Sequence, residues 1–386
     1  MLIGVLGAGQ LGMMIAQAGA RLGHSFRFLD PIADSPARVA GDLIVGDFTS
    51  TDALKRFAHK LDIVTWEFEN VPCSAVQVLS RSVPTRPGIA LLEIAQDRLS
   101  EKMAFSEIGL APARHLPISS LADLRDAVGA LGVSCILKTR RMGYDGKGQF
   151  LIRACEDVDA AWQKLGGAGD LILEALVDFE REVSLIACRS ASGSAVRKDA
   201  GNVGGNGIAF YPMPTNVHKG GILRVSRAGE GAEIEPELEL AARAAMAKLL
   251  GGVDYVGVMT IEFFVVRRAD GGRALIANEM APRVHNSGHW TIEGARTSQF
   301  ENHCRAISGM ELGSAALTHP AAAMVNIVGE APDRAKIAGV KGATLHMYGK
   351  EPREGRKLGH ITLVGSRAEV DSGLEALRGT PGTIIG

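Results

Sequence analysis

The sequence predicts an α/β (α+β) chain of two or three domains, and three observations carry that expectation. A short apolar run, Leu2-Ile3-Gly4-Val5-Leu6, leads through Gly7-Ala8-Gly9-Gln10-Leu11-Gly12 into a helical pattern, the spacing of a doubly wound, Rossmann-like βαβ unit. Two strand-like runs, 256–266 and 274–279, flank Ala269-Asp270-Gly271-Gly272, a strong hairpin signal that places antiparallel pairing in the second half. The chain has 386 residues, 46% hydrophobic and 22% charged, enough for a sizeable core in each domain.

A formal net charge of -1 argues against a protein that binds nucleic acid or membrane surfaces through bulk electrostatics. The five cysteines are scattered and form no C-x-x-C pair, so neither a disulfide framework nor a zinc site is indicated. No apolar run approaches membrane-spanning length, and a strand opening at residue 2 leaves no room for a signal peptide. A cytoplasmic protein is expected. Abundant glycine (47 residues) with 5% aromatics suits an α/β enzyme with many tight loops.

Taken in order, the first unit continues with a strand at 26–29 that ends on Asp30. Glycine fingerprint plus acid would by themselves read as an NAD-dependent oxidoreductase. The free N–H groups of a helix N-terminus receive any anion, however, so the motif specifies the fold better than the cofactor. A strand at 61–66 then ends in Glu67 and Glu69, whose alternate spacing predicts that both point to one side. Either could face a substrate beyond the strand ends, or both could be solvent-facing acids. After the connector 83–88, one helix is expected from Ile89 to about Ile108, with Arg98 and Lys102 one turn apart as a solvated face or a phosphate contact.

The central region opens with a strand ending in Lys138, followed by Arg140, Arg141, Met142 and then Gly143-Tyr144-Asp145-Gly146-Lys147-Gly148-Gln149 before the strand 150–152. Such a loop can fold backbone N–H groups over phosphates while lysines neutralise charge; a flexible hairpin tip is the alternative. The strand 170–177 carries Glu174 among apolar residues, and 182–188 alternates as a strand does, so this edge could hold an adenosine between apolar walls and a carboxylate. Residues 197–207 read as a mobile loop, His218 as either a surface or a site histidine, and 235–250 as an amphipathic helix.

The most concentrated chemistry lies in Asn278-Glu279-Met280-Ala281-Pro282-Arg283-Val284-His285-Asn286-Ser287-Gly288-His289, where an apolar strand runs out of the core into a carboxylate, two amides, an arginine and two histidines. With the hairpin turn centred on Asp270-Gly271, Glu262 and Glu279 are equidistant from it and fall opposite each other. Opposed carboxylates repel, and among apolar strands they ask for a cation. Oxygen-only ligands suit Mg²⁺, which is commonly shared between carboxylates and substrate phosphates. Beyond, a helix capped by Ser298 precedes strands at 322–328 and 342–347 and a basic loop, 350–360, that is either a solvated turn or a sugar-phosphate site.

Gly9-Gln10-Leu11-Gly12, Lys138 with 143–149, 278–289, Ser298-Gln299-Phe300 and Arg356-Lys357-Leu358-Gly359-His360 together resemble the 5-(carboxyamino)imidazole ribonucleotide synthetases, an ATP-grasp family of purine biosynthesis. The match spans nearly the whole chain in order. The resemblance implies a Rossmann-like domain (1–97), an ATP-grasp domain (98–308) and a small β-rich C-terminal domain (309–386), commonly in a homodimer. It also implies a carbon–nitrogen ligase that uses ATP, bicarbonate and aminoimidazole ribonucleotide and proceeds through carboxyphosphate. Carried over by motif, Arg98, Lys138, Gly143, Tyr144, Asp145, Gly146, Lys147, Gly148, Gln149, Glu174, Ala175, Leu176, Val177, Glu182, His218, Asn278 and Glu279 would contact ATP. Glu262 and Glu279 would hold Mg²⁺. Tyr144, Asp145, Lys147, Arg283 and His285 would be catalytic, and Gln10, Glu67, Arg283, His285, Asn286, Ser287, Lys350 and Arg356 would surround the acceptor nucleotide. The glycine loop would close as a lid, because the carboxyl donor must meet the amine before water does.

Two other classes compete. An NAD-dependent oxidoreductase rests on Gly7 through Gly12 and Asp30, but leaves the Glu262/Glu279 hairpin without a role. A non-catalytic nucleotide sensor, or another ATP-grasp carboxylase or formyl-transferring synthetase, would retain the ATP cleft.

Overall fold

The computed structural model describes residues 1–143, 148–191, 203–204 and 207–385. The first unit is β1 (Leu2–Leu6), α1 (Gln10–Ala20), β2 (Ser25–Asp30), β3 (Asp42–Val45), α2 (Thr51–Ala58), β4 (Ile63–Trp66) and α3 (Cys73–Ser80). Its sheet is parallel, in the order β3-β2-β1-β4. Ile3 and Val5 pack with α1 on one face while Leu6 joins Trp66 and Phe57 on the other, as the two-residue period of a strand requires. β4 stops at Trp66, so the alternation expected for Glu67 and Glu69 does not operate and the two acids find different partners.

The single helix expected from 89 to 108 is two: α4 (Ile89–Ala95) and α5 (Arg98–Ile108). Asp97 breaks it, because its carboxylate accepts from Leu99 N at 3.0 Å and Ser100 N at 3.4 Å and so caps a new helix. Next come β5 (Ala111–Pro112), β6 (His115–Ile118), α6 (Leu121–Leu131), β7 (Cys135–Thr139), β8 (Gln149–Ile152), α7 (Asp157–Leu165) and β9 (Leu171–Ala175). A four-stranded sheet, β6-β9-β7-β8, is covered by α6 and α7.

The remaining elements are β10 (Arg181–Arg189), β11 (Val203–Gly204), β12 (Ile208–Phe210), β13 (Thr215–Lys219), β14 (Ile222–Gly229), α8 (Pro236–Gly252), β15 (Gly257–Arg267), β16 (Arg273–Ala281), α9 (Thr291–Gly294), α10 (Gln299–Ile307), β17 (Ala321–Val328), α11 (Arg334–Ala338), β18 (Ala343–Met347), β19 (Lys357–Gly365) and α12 (Arg367–Leu377). Within the stretch read as a mobile loop, Val203–Gly204 pairs with Ile208 and Ala209; residues 197–202 and 205–206 lie outside the described residues. The C-terminal strands do not form a sheet of their own. β14 pairs with β17, giving one continuous path β18-β19-β17-β14-β13-β10-β15-β16-β5. The first unit is fastened to this body by α1 against α10, where Cys304 Sγ reaches Ile15 O at 3.4 Å.

The hairpin β15–β16 carries a detail that sequence spacing missed. Arg267 pairs with Arg273, which centres the turn on Asp270 rather than between Asp270 and Gly271. Continued unbroken, that register would set Glu262 against Asn278. A bulge intervenes: Phe263 pairs with Ala277, Glu262 with Glu279, and Asn278 is the extra residue.

Candidate active site

The hairpin β15–β16 brings two acids face to face. Glu262 is buried and Glu279 half exposed, and burial first, then the Glu279 charge, push the Glu262 carboxyl up to about 7. His218, on β13, lies 2.6 Å through Nδ1 from Glu182 on β10. Burial works against a charge on His218, but Glu182, Glu262 and Glu279 outweigh it and raise its pKa. His285 Nε2 lies 3.7 Å from Glu262 Oε1, and burial next to Arg283 holds this imidazole neutral, well below its ordinary 6.5. The result is a cluster of carboxylates beside two histidines, of which His218 is favoured in its charged form and His285 in its neutral form. Among the described residues no group of three His, Cys, Asp or Glu could hold a metal alone. The pair Glu262 and Glu279 fits Mg²⁺, which takes one or two carboxylates and completes its shell with phosphate and water.

A basic cluster adjoins the pair. Arg98, at the start of α5, sits 3.9 Å from Glu279 Oε2 and donates to Gly143 O at 3.4 Å, tying the acids to the root of the glycine loop. Lys138 on β7 donates to Glu174 on β9 at 2.9 Å, and Lys102 lies 3.7 Å from the same oxygen. Burial alone would raise Glu174, yet the two lysines hold it down to about 2, while burial lowers Lys138. Glu174 is thus a buried anchor for lysines rather than an exposed acid. Ala175 N and Leu176 N donate to Arg114 O and Ser134 O, Leu176 is exposed, and Val177 is half-buried beside it. Gly148 returns the loop to β8, with Thr139 N donating to its carbonyl, and Gln149 opposes Lys138. Tyr144, Asp145, Gly146 and Lys147 lie outside the described residues.

The segment after β16 is held rigidly. Gln299 grips the His285 backbone from both sides, accepting from its N at 2.9 Å and donating to its O at 2.6 Å. Trp66 Nε1 donates to Pro282 O at 3.1 Å. Arg283 Nε pairs with Glu69, a carboxylate that burial would raise and Arg283 lowers. Asn286 and Ser287, expected at the acceptor, have other partners. Asn286 exchanges amide hydrogen bonds with Asn326 on β17 at 2.7 and 3.1 Å, and buried Ser287 joins His285 Nδ1 to Ser184 Oγ, each at 2.8 Å. These bonds tie the loop to β17 and β10.

The N-terminal fingerprint meets a protein carboxylate. Gly9 N and Gly12 N donate to Glu67, the latter at 2.7 Å, and Ala8 N donates to Asp30 at 2.8 Å. A Cβ at Gly9 would lie 2.5 Å from Glu67 Oε1 and one at Gly7 2.6 Å from Glu67 Cγ, so these glycines make room for that side chain. Burial raises the pKa of Glu67. A dinucleotide pyrophosphate would have to displace this acid, which removes the geometric basis of the oxidoreductase reading. Lys350 donates to Gln10 in the same corner, and burial lowers it to about 8. Arg356 donates to Glu351 O at 3.2 Å and adds positive charge near Lys350.

Four groups of this cleft are absent from the set of site residues that the motifs carried over: Glu69, Glu101, Lys102 and Lys357, whose charge acts on Glu69, Glu262 and His285. Glu101 had a readable signal, since it shares an i, i+3, i+4 face with the apolar Ala104 and Phe105.

Family models match in three places: a ribonucleotide synthetase preATP-grasp domain over residues 1–96, an ATP-grasp domain over 103–300, and a phosphoribosylaminoimidazole carboxylase C-terminal domain over 322–371. N5-carboxyaminoimidazole ribonucleotide synthase from Pseudomonas aeruginosa is 45% identical over 363 residues, 94% of each chain. The crystal structure of N5-carboxyaminoimidazole ribonucleotide synthetase from Thermus thermophilus is 46% identical, covers 99% of both chains and superposes with a TM-score of 0.89. The Aspergillus clavatus N5-carboxyaminoimidazole synthase, solved with ADP and 5-aminoimidazole ribonucleotide, is 27% identical with a TM-score of 0.83 over 97% of both chains.

Proposed function

The chain belongs to the N5-carboxyaminoimidazole ribonucleotide synthase family, and from that membership we propose how its own residues carry out the reaction. It is an ATP-dependent ligase that carboxylates 5-aminoimidazole ribonucleotide to the N5-carboxyamino product in purine biosynthesis, with bicarbonate as carbon source and ADP and phosphate as co-products. The observation that carries the assignment of roles is the opposed Glu262/Glu279 pair, linked through Arg98 to the glycine-loop root.

Glu262 and Glu279 are the residues that would hold Mg²⁺, which when bound supplies charge neutralisation and polarisation at the ATP phosphates. Arg98 and Lys138 face the same phosphates and screen them as bicarbonate oxygen attacks the γ-phosphorus and ADP leaves, giving carboxyphosphate. Arg283, fixed by Glu69, presents its guanidinium to the developing carboxyl oxygens. The acceptor amine then attacks the carboxyl carbon and releases phosphate. Neutral His285, or Asp145, takes the amine proton. Lys350 and Gln10 suit the acceptor's phosphate, and Glu182 and His218 the nucleotide. Three domains, 1–97, 98–308 and 309–386, a homodimer and a cytoplasmic setting accord with this reading; the five free cysteines agree with a reducing compartment. Among the described residues no helix is long and apolar enough to cross a membrane.

The test is ADP release with bicarbonate, with and without aminoimidazole ribonucleotide, in the absence of NAD(P). Release that depends on the ribonucleotide is expected; its absence would sink the proposal.

A further inference from the structure

Strand β16 changes neighbours along its length. One edge pairs with β15 as far as Ala281, whereas the other pairs with β5 only at Ile276 and Ala277. β5 ends on Pro112, so the outer edge of residues 278–280 continues without a strand beside it. An open edge in a buried place leaves backbone donors and acceptors to be satisfied by other means. Here α5 supplies them. Lys102 Nζ donates to Asn278 O, and Glu101 Oε1 accepts from Met280 N at 2.6 Å. The two residues are 0% and 2% exposed, and they grip the residues on either side of Glu279.

This is also where the bulge sits. Without the bulge, with Asn278 paired in regular register, Glu262 would oppose that amide, and Glu279 would fall out of register with its partner. The helix that makes the grip is itself fixed at its start, since its cap Asp97 takes two hydrogen bonds from Arg140, at 3.0 and 2.8 Å. Lys102 further lies 3.7 Å from Glu174, which receives Lys138. One unbroken polar path therefore runs from the lysine expected at the ATP phosphates to the backbone of the carboxylate strand.

The geometry points to Glu101 and Lys102 as positioning residues that hold the Asn278 bulge and thereby keep Glu279 opposite Glu262 for the metal. This rests on the reading of those two carboxylates as the metal pair. A purely stabilising role would lower the unfolding midpoint and leave metal affinity where it was; a positioning role changes affinity in a folded protein.

Mn²⁺ binding, followed by electron paramagnetic resonance with a non-hydrolysable ATP analogue, separates these. Glu101→Leu removes the acceptor for Met280 N and is expected to weaken Mn²⁺ binding about tenfold or more, the size usual for supports behind metal ligands. Lys102→Met, which leaves Asn278 O without its donor, should weaken it similarly. Glu101→Gln retains an acceptor oxygen and should restore affinity to within about threefold of the wild type. Equal affinity in Glu101→Leu and wild type, or equal losses in the Leu and Gln variants, would overturn the inference. Should the Leu variant not fold, wild-type hydrogen exchange decides: Met280 N–H should exchange slowly, and exchange at the rate of an exposed amide would overturn the grip. Failure of the wild type to bind Mn²⁺ would instead remove the metal pair itself, a separate outcome that ends both readings.

Discussion

Replacing Glu262 by Gln should stabilise the metal-free protein while destroying its activity. The Glu262 carboxyl stands at about 7 in the folded chain against an ordinary 4.5, because it is buried and faces the Glu279 charge. A group whose pKa is raised on folding binds its proton more tightly when folded. Ionised Glu262 therefore destabilises the fold, by nothing below about pH 4.5, increasingly through pH 7, and fully above it. A displacement of about 2.5 units corresponds to roughly 3 kcal/mol at most. Glutamine retains the shape and loses the charge, so urea unfolding at pH 8 without divalent cations should show Glu262→Gln more stable by about 1–3 kcal/mol, with the difference shrinking towards pH 5. Adding Mg²⁺ with a non-hydrolysable ATP analogue should stabilise the wild type and not the variant, because only a site that binds in the folded state gains from ligand. Turnover should fall by about a thousandfold, the order lost when a group aimed at transition-state charge is removed. A variant less stable than wild type at pH 8, or a difference independent of pH, would refute the argument that the pair is a strained, cation-seeking site.

Three further outcomes follow from the same geometry. Gly9→Ala places a Cβ 2.5 Å from Glu67 Oε1 and should destabilise by about 1–3 kcal/mol, and adding Glu67→Ala should recover much of this in thermal unfolding if the clash is the cause. Breaking the Arg283–Glu69 pair with Arg283→Met strands a partly buried carboxylate and should cost about 1–3 kcal/mol, with a double-mutant cycle against Glu69→Gln showing coupling; strict additivity would mean the pair contributes nothing jointly. With Lys350 near 8, kcat/KM for aminoimidazole ribonucleotide should fall as pH rises through that value while KM for ATP stays level, and Lys350→Met should lose this alkaline limb.

Much of the fold was legible because it is written in local periods. The runs that became β1, β7, β10 and β15 announce themselves by apolar content and flanking turns, and the Asp270-Gly271 signal located the hairpin that carries the acids. The pairing of Glu262 with Glu279 was anticipated by counting from the turn, yet the count had the turn centre half a residue off and the bulge made up the difference. The helix break at Asp97 went unread because a capping aspartate and a solvent-facing one look alike until its N–H partners are seen. The strands at 322–328 and 342–347 read as parts of a small C-terminal domain without a sheet partner, because nothing in their sequence says that β14 will be their neighbour.

By itself, then, the sequence determined which chemistry the chain could bring to a site. Carboxylates on two facing strands, a lysine at the end of a third, a glycine loop and an arginine–histidine segment leaving the core are properties of residue type and short spacing. The tertiary structure alone decided which of these groups face each other and what each one neutralises. Glu67 fills the glycine cradle that a dinucleotide would need, Asn286 turns to Asn326, and Glu101 reaches across 179 positions to a backbone amide beside the Glu262/Glu279 pair. The physical reason is range. A side-chain period is set by covalent geometry within one element, whereas electrostatic and hydrogen-bond partners are set by how elements far apart in sequence pack, and neighbours a few residues away carry no record of that distance.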